Sequence, residues 1–423
     1  MSHDLLLASF GTSGNLSPLL TAGRLLRRRG HGIRVMADPA MRPEVEAAGF
    51  PFAPWRRAPV GRDADPSDFS NPVEWLQRAV FGPAPAYAAD VLEEIARQPT
   101  DALICIDMLI GVGLAAERAG LPVALLSPHI SLRPLPGLPP ASSGLAQPAT
   151  LQERQEAEAA AAQFAALLNG FLPDLNRLRG RLGLPDLAEV MDLFDRADRV
   201  LLAISRAFDF EADGLPDNMA YVGPLLDEPG WSRPWRSPWP ADSRRPRALI
   251  ACSTGAQEQT GLMQRVMGAV GTLEIDAVAT AGPNVAVEAL QAPENVRLLH
   301  SAPHDAVMKE VAIVVTQGGH GTVSRALVHG LPLLVLPNGR DQGDNAARVV
   351  AKGAGLRLPP DAPEPEIAAA VTRLLTEPGF RAAARRLGAA IRTDIRTSPL
   401  VREIETMLSG RQAARTRPQR PAA

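Results

Sequence analysis

Residues 314–345 read VVTQGGHGTVSRALVHGLPLLVLPNGRDQGDN, and this stretch decides how the rest of the chain is read. An apolar, β-branched run reaches Thr316, and residues 316–321 then leave a strand and open a helix. Gly318 and Gly319 remove side chains at that junction, so the backbone can approach a ligand closely. A helix start offers unpaired N–H groups and the positive end of the peptide dipole, the ingredients of a diphosphate site. Gln317, Gly321 and Thr322 complete the turn, Thr322 with a hydroxyl. The next apolar run, LPLLVLP, ends in NGRDQ, so Asp341 and Gln342 fall at the C-terminal end of a neighbouring strand. Two such residues can accept from and donate to vicinal hydroxyls. A phosphate cradle beside a hydroxyl reader points to a nucleotide sugar. Taken alone, the glycines also fit a turn that merely packs strand on helix.

Working outward, the same alternation recurs on both sides. ALIACS, IDAVATAG and VRLLH precede the stretch, separated by helix-like runs or loops. In the first half LLLASF, GIRVMA, ALICID, PVALLSP and ADRVLLAIS alternate with helix-like runs. This βα repeat predicts parallel sheets covered on both faces, an α/β fold. A Pro/Gly-rich loop (RPLPGLPPASSG) and a long Ala-rich helix interrupt it between about residues 134 and 195. Expected boundaries are residues 1–225 and 246–410 for two doubly wound domains. Residues 226–245 form a Pro/Trp-rich linker with Trp231, Trp235 and Trp239, read as linker packing rather than a sugar platform. Residues 411–423 are read as a disordered tail. Ligands of such sheets bind beyond the C-terminal strand ends, which puts a cleft between the halves.

Bulk properties exclude several classes. A chain of 423 residues with 46% hydrophobic content supports more than one core. A net charge of −2 implies no polyanionic partner, so no nucleic acid. No apolar run is long enough to span a membrane, and no signal-peptide pattern opens the chain. The two cysteines, Cys105 and Cys252, lie in apolar runs of different halves, which suits a reducing, cytoplasmic setting. The acidic triplet at 63–65 lies in a polar loop and reads as solvated, so no metal site is expected.

The first-half loop SFGTSGNLSP, residues 9–18, lacks the full G-x-G-x-x-G dinucleotide pattern. Asp38 is its one weak match to an acidic ribose partner. The chain as a whole resembles the family 1 glycosyltransferases of bacterial natural-product type, with the GT-B fold. The matching stretches are FGTSGNLSPLL, YVGPLLDEPGW with the following PW, NVRLLHSAPHDAV, TQGGHGTVSRALVHGLPLLVLP and DQGDNAARV. Together they span residues 10–349. The resemblance implies two Rossmann-like domains facing across a cleft, the acceptor in the N-terminal one and the donor in the C-terminal one. It implies metal-independent transfer, with inversion, from a UDP- or dTDP-hexose or deoxyhexose. On this reading Ser253 and Thr254 close over the diphosphate, and the glycine loop at 11–14 faces the acceptor.

Inverting transfer needs a base for the acceptor proton and stabilisation of the leaving diphosphate. The family usually has His where this chain has Asn15, and asparagine is no base. Asp107 ends the strand ALICID and matches the acidic residue that normally orients that His. It is a candidate for taking the proton itself or, equally, a cap for the following helix. His129 is the other N-terminal-half histidine at a cleft-facing strand end, a candidate base or acceptor ligand. Asn15 remains a candidate for orienting the acceptor. Three further departures stand in the donor half. Gln317 replaces a diphosphate-binding His, with His320 nearby as a contributor of charge or a surface residue. Ser301 stands where plant members stack a Trp on the base. Arg325 replaces a ribose-binding Glu and reaches a phosphate or faces solvent.

The expected function is therefore sugar transfer to a small lipophilic acceptor, phenolic, polyketide or terpenoid. Residues 132–145 and the helix after them are the expected pocket walls. C-glycosylation is kept open because a carbon nucleophile depends less on the lost His. The alternatives are a catalytically inactive auxiliary protein on the same fold, favoured by Asn15 and Gln317, and a nucleotide-sugar epimerase. A homodimer is left open.

Overall fold

Leucine-, valine- and alanine-rich runs of three to six residues become strands buried on both faces, because helices cover each side of the sheets they form. The computed structural model describes residues 2–11, 13–60, 71–226, 235–239, 243–251, 260–282, 285 and 287–416, with side chains through residue 410. The first sheet contains β1 (Asp4–Ala8), β2 (Gly32–Ala37), β3 (Phe52–Pro54), β4 (Ala102–Ile106), β5 (Val123–Ser127), β6 (Arg199–Leu202) and β7 (Met219–Tyr221). Their spatial order is β3-β2-β1-β4-β5-β6-β7, all parallel. The second contains β8 (Arg247–Ala251), β9 (Asp276–Thr280), β10 (Val296–Leu299), β11 (Ile313–Thr316), β12 (Leu333–Val335) and β13 (Gly355–Arg357). Its order is β10-β9-β8-β11-β12-β13, again all parallel.

In each sheet the strand order reverses once, between β1 and β4 and between β8 and β11. A crevice opens at such a reversal because the flanking crossovers go to opposite faces. The helix that follows β1 carries Asn15 in its first turn, and the turns leaving β4 and β11 carry Asp107 and the Gln317–Gly318–Gly319 run. The turn leaving β8 carries Ser253 and Thr254, which lie outside the described residues, as do Cys252, Thr12, Trp231 and the acidic triplet.

The helices that bear on the site are α1 (Ser13–Arg27), α2 (Ala84–Arg97), α3 (Ile110–Ala119), α4 (Leu151–Asn169), α5 (His320–Val328), α6 (Gln342–Ala351) and α7 (Leu400–Thr416). α4 begins with a capping box, Thr150 accepting from the Glu153 N–H while Glu153 accepts from the Thr150 N–H. Trp235 and Trp239 pack edge to face, with Trp235 Nε1 donating to Glu310 at 2.7 Å. Both lie against the apolar core of the second sheet.

The chain end departs from the expected boundaries. α7 continues to Thr416, into the stretch read as a tail. Its apolar residues Leu400, Ile404, Met407 and Leu408 repeat at helical spacing and are buried in the core of the first sheet, not the second. This burial anchors a helix whose last turns are too polar to signal one. Three strands were also invisible to periodicity: β3, β7 and β13 are three residues each, and β3 ends on proline.

Candidate active site

A cavity of about 720 Å³ lies between the two sheets and reaches into the first domain. Asn15, Asp107, His129, Gln317, Gly319, His320, Gly321, Thr322, Asp341 and Gln342 all line it. These residues, singled out in the two halves of the sequence, thus meet in one place, whereas Gly318 is not among the lining residues.

On the first-domain side, Asp107 leaves β4 and His129 follows β5, the adjacent strand. The Asp107 side chain has no solvent exposure, and both its oxygens are engaged. Ser127 Oγ donates to Oδ2 at 2.6 Å, and His129 Nε2 lies 3.0 Å from Oδ1. The cap expectation for Asp107 fails, because the helix starts later: Leu109 is the N-cap of α3, without a side-chain bond. His129 is the partner that faces the cavity, with its Nδ1 2.9 Å from the carbonyl oxygen of Ile130. Burial works to lower the pKa of this imidazole. The charge of Asp107 and its hydrogen bond, with the Ile130 carbonyl and the charge of Asp341, outweigh that and raise it to about 9. Both ring nitrogens therefore act as donors near neutral pH, and His129 is an imidazolium paired with a buried carboxylate.

Asn15 sits in the first turn of α1 and donates through Nδ2 to the Phe10 carbonyl at 3.2 Å. That bond holds the loop and leaves its amide group at the cavity wall. Asp38, the one candidate ribose partner of this half, instead caps the short 3₁₀ turn Pro39–Met41 by accepting from the Ala40 N–H.

On the second-domain side, Gly318 has φ +101°, and a Cβ there would stand 2.7 Å from Val335 Cγ1. The glycine is needed for backbone shape and for room. Gly319 is the N-cap of α5, and Cβ atoms built at Gly319 or Gly321 would meet nothing within 4 Å. The helix start therefore presents open backbone to the cavity. Gln317 is buried beside it at 2% exposure. Gln342 is equally buried, and its Oε1 accepts from the Asn338 N–H at 2.7 Å. Asp341 accepts from Asn345 Nδ2 at 2.9 Å, and the same Nδ2 also donates to the Gly318 carbonyl. Asn345 thereby ties the turn at Asp341 to the turn at Gly318.

His320 is neither a surface residue nor a source of charge. It is 7% exposed, Ser324 Oγ lies 3.1 Å from its Nε2, and burial lowers its pKa. Arg325 neither reaches the cavity nor stands in solvent. It pairs with Asp305, which also binds His329 Nε2 at 2.9 Å. Ser301 is exposed and outside the cavity lining.

Two lining residues escaped sequence reasoning. His304, whose pKa burial and then Arg325 push down to about 4, is a neutral imidazole bonded to Thr280 Oγ1 at 3.1 Å. Its position at the start of a five-residue helix after a proline carried no periodic signal. Arg340 lines the mouth with φ 56°, a left-handed conformation uncommon outside glycine. No local sequence rule places an arginine there.

Across the cleft the halves are bonded through α6. Asp344 accepts from the backbone N–H groups of Ser142 and Gly144 at 2.6 and 2.8 Å. Its burial raises its pKa, against the pull of those bonds. Arg348 Nε donates to Asp209 at 2.7 Å, with Tyr221 on the other Asp209 oxygen and the Phe210 ring 4.3 Å from the guanidinium. Both partners of this ion pair are 1% exposed. The loop carrying Ala141 and Ser142, expected as acceptor wall, does line the cavity, and α6 holds it there.

Two parallel α/β domains facing a shared cleft are the GT-B architecture. The glycotransferase of kitacinnamycin has this fold, matching with a TM-score of 0.74 at 21% identity over 96% of this chain and 98% of its own. Residues 264–408 match the family described as erythromycin biosynthesis protein CIII-like, C-terminal domain. The 4'-demethylrebeccamycin synthase of Lentzea aerocolonigenes is 28% identical over 414 residues, 92% of this chain and 95% of that protein. A PGL/p-HBAD biosynthesis glycosyltransferase of Mycobacterium tuberculosis is 31% identical over 324 residues, covering 74% and 71%. The chain belongs to the natural-product glycosyltransferases.

Proposed function

We propose that this enzyme transfers a hexose or deoxyhexose, with inversion and without a metal, from a UDP- or dTDP-sugar to a lipophilic acceptor. The observation that carries this reading is the open helix start at Gly319–Thr322 facing the Asp107–His129 pair across one cavity. The diphosphate lies at the start of α5, where N–H groups and the helix dipole take up the charge that develops on departure. Neutral His304 and Gln317 donate hydrogen bonds there. Asp341 holds sugar hydroxyls.

The acceptor proton goes to His129, and Asp107 serves as its positioning partner. Direct proton transfer to Asp107 is disfavoured because its oxygens are engaged and its side chain is unexposed. In exchange for its bond to the Ile130 carbonyl, Nδ1 of His129 accepts from the acceptor hydroxyl. This requires the neutral imidazole, so kcat/KM rises with pH until the ring is deprotonated. Asn15 orients the acceptor through its amide. Transfer to oxygen follows from a dyad of this kind, and transfer to carbon is the second outcome to score in the product. The buried free thiol of Cys105 supports a reducing, cytoplasmic setting. Among the described residues no helix is long and apolar enough to cross a membrane.

Calorimetric titration with UDP, dTDP and GDP in the presence of EDTA tests the donor assignment. Saturable one-to-one binding of UDP or dTDP is expected. Absence of binding to all three, or binding only when a divalent cation is restored, overturns the metal-independent donor site.

A further inference from the structure

The cavity does not end at the catalytic pair. It continues away from the cleft along one face of β5 toward the N-terminal end of that strand. Residual exposure marks that face: Val123 and Leu125 are each 6% exposed, whereas Ala124 and Leu126, pointing the other way, are fully covered. Against this face stands a stripe of α3, Ile110, Gly113 and Leu114, at the spacing that puts residues on one side of a helix. Phe194 closes another wall. Polar groups return only at the two ends. Asp107 and His129 stand at the cleft. Glu117 and Arg196 stand at the far end, bonded to each other at 3.1 Å, with Arg179 bidentate on Glu117 at 2.7 and 2.9 Å.

Two glycines of α3 separate packing from accommodation. A Cβ at Gly111 would lie 2.1 Å from the Ala84 carbonyl oxygen, so this glycine lets α2 and α3 touch. A Cβ at Gly113 would meet nothing within 4 Å. No neighbouring group fills the space where a side chain at Gly113 would stand, and the glycine weakens its helix by roughly 1 kcal/mol relative to alanine. Its missing side chain leaves the passage clear at mid-length.

We infer that the acceptor is an extended amphiphile: a hydroxyl or phenol head at Asp107–His129 and a linear apolar tail lying between β5 and Gly113. This rests on reading the cavity as the acceptor side of a glycosyltransferase. The strand from Ser127 to Val123 spans about 13 Å, room for a tail on the order of ten carbons. The tail ends where the Glu117–Arg196 pair meets solvent.

The test is calorimetric binding of 4-alkylphenols, from methyl to octyl, to the full-length free protein and to Gly113→Leu. In the unmodified protein, affinity should climb about fourfold per added methylene, the increment for burying one such group. In Gly113→Leu the short members should bind as before, and the climb should stop once the tail reaches the new side chain. Thermal melting controls for the fold, since replacing a helical glycine beside empty space should leave Tm unchanged or raised. An affinity independent of chain length in the unmodified protein overturns the inference, as does equal weakening of short and long members in the variant. Neither result depends on nucleotide, so failure here is distinct from failure of the UDP and dTDP titration.

Discussion

Replacing Asp107 with asparagine removes the charge that holds His129 protonated while keeping the shape of the site. The carboxamide introduced there can accept from Ser127 through its oxygen and donate through its nitrogen to Nε2 of a neutral imidazole, so the geometry need not move. A rise from the ordinary 6.5 to about 9 corresponds to about 3 kcal/mol in favour of the imidazolium. His129 is only 13% exposed, so solvent screening removes little of that. The folded-state value lies above the unfolded one. This stabilisation is therefore complete below about pH 6.5 and disappears as the pH rises through about 9. Denaturant unfolding of the native enzyme should show stability falling by about 3 kcal/mol across that window, where the variant is flat. NMR titration of the His129 ring should give a midpoint near 9 natively and a lower one in Asp107→Asn, because burial is then opposed only by the Ile130 carbonyl and the charge of Asp341. The kcat/KM profile should move to lower pH in the same direction, with kcat reduced by roughly 10²-fold or more as the base weakens. A His129 midpoint that does not move on substitution would refute the coupling and, with it, the assignment of Asp107 as positioning partner.

Two further perturbations address the donor side and the interface. Gly319→Asp should fold normally, since its side chain enters open space, yet weaken UDP or dTDP binding on the order of 100-fold through charge repulsion at the helix start. Unchanged affinity by calorimetry would remove the diphosphate from that position. Arg348→Leu strands the buried Asp209 carboxylate and should lower stability by about 3–5 kcal/mol in chemical denaturation. An unaltered unfolding midpoint would mean that Tyr221 and the Asp209 surroundings suffice to hold that charge.

Much of this fold is legible in the sequence. Strand runs with both faces apolar, such as LLLA at residues 5–8 and IVVT at residues 313–316, announce parallel sheets because nothing polar is needed on either side. Gly318 was readable as a glycine the turn requires, and its positive φ and the closeness of Val335 show a packing reason for it inside the protein. The pairing of Asp107 with His129 was not legible. The two are 22 residues apart, and only the adjacency of β4 and β5 makes them neighbours. His320 and Arg325 were misjudged for a related reason. Their helix turns His320 toward Phe208 and Arg325 toward Asp305, partners that come from other segments of the chain. The apolar passage was hidden because a leucine facing a cavity and a leucine facing another leucine look the same in sequence. Only the empty volume beside Gly113 distinguishes them.

The return of α7 to the first sheet has a consequence for recombining such enzymes. The first domain is discontinuous in sequence, made of the segment before the linker and a helix that follows the whole second sheet. A donor-specificity graft from a relative cannot be a simple exchange of everything after the linker. That would give the first domain a foreign helix where Leu400 is buried or leave its apolar floor bare. Two crossovers are required, one between β7 and β8 and a second just before Leu400. The cassette that can travel between relatives is the second domain without α7.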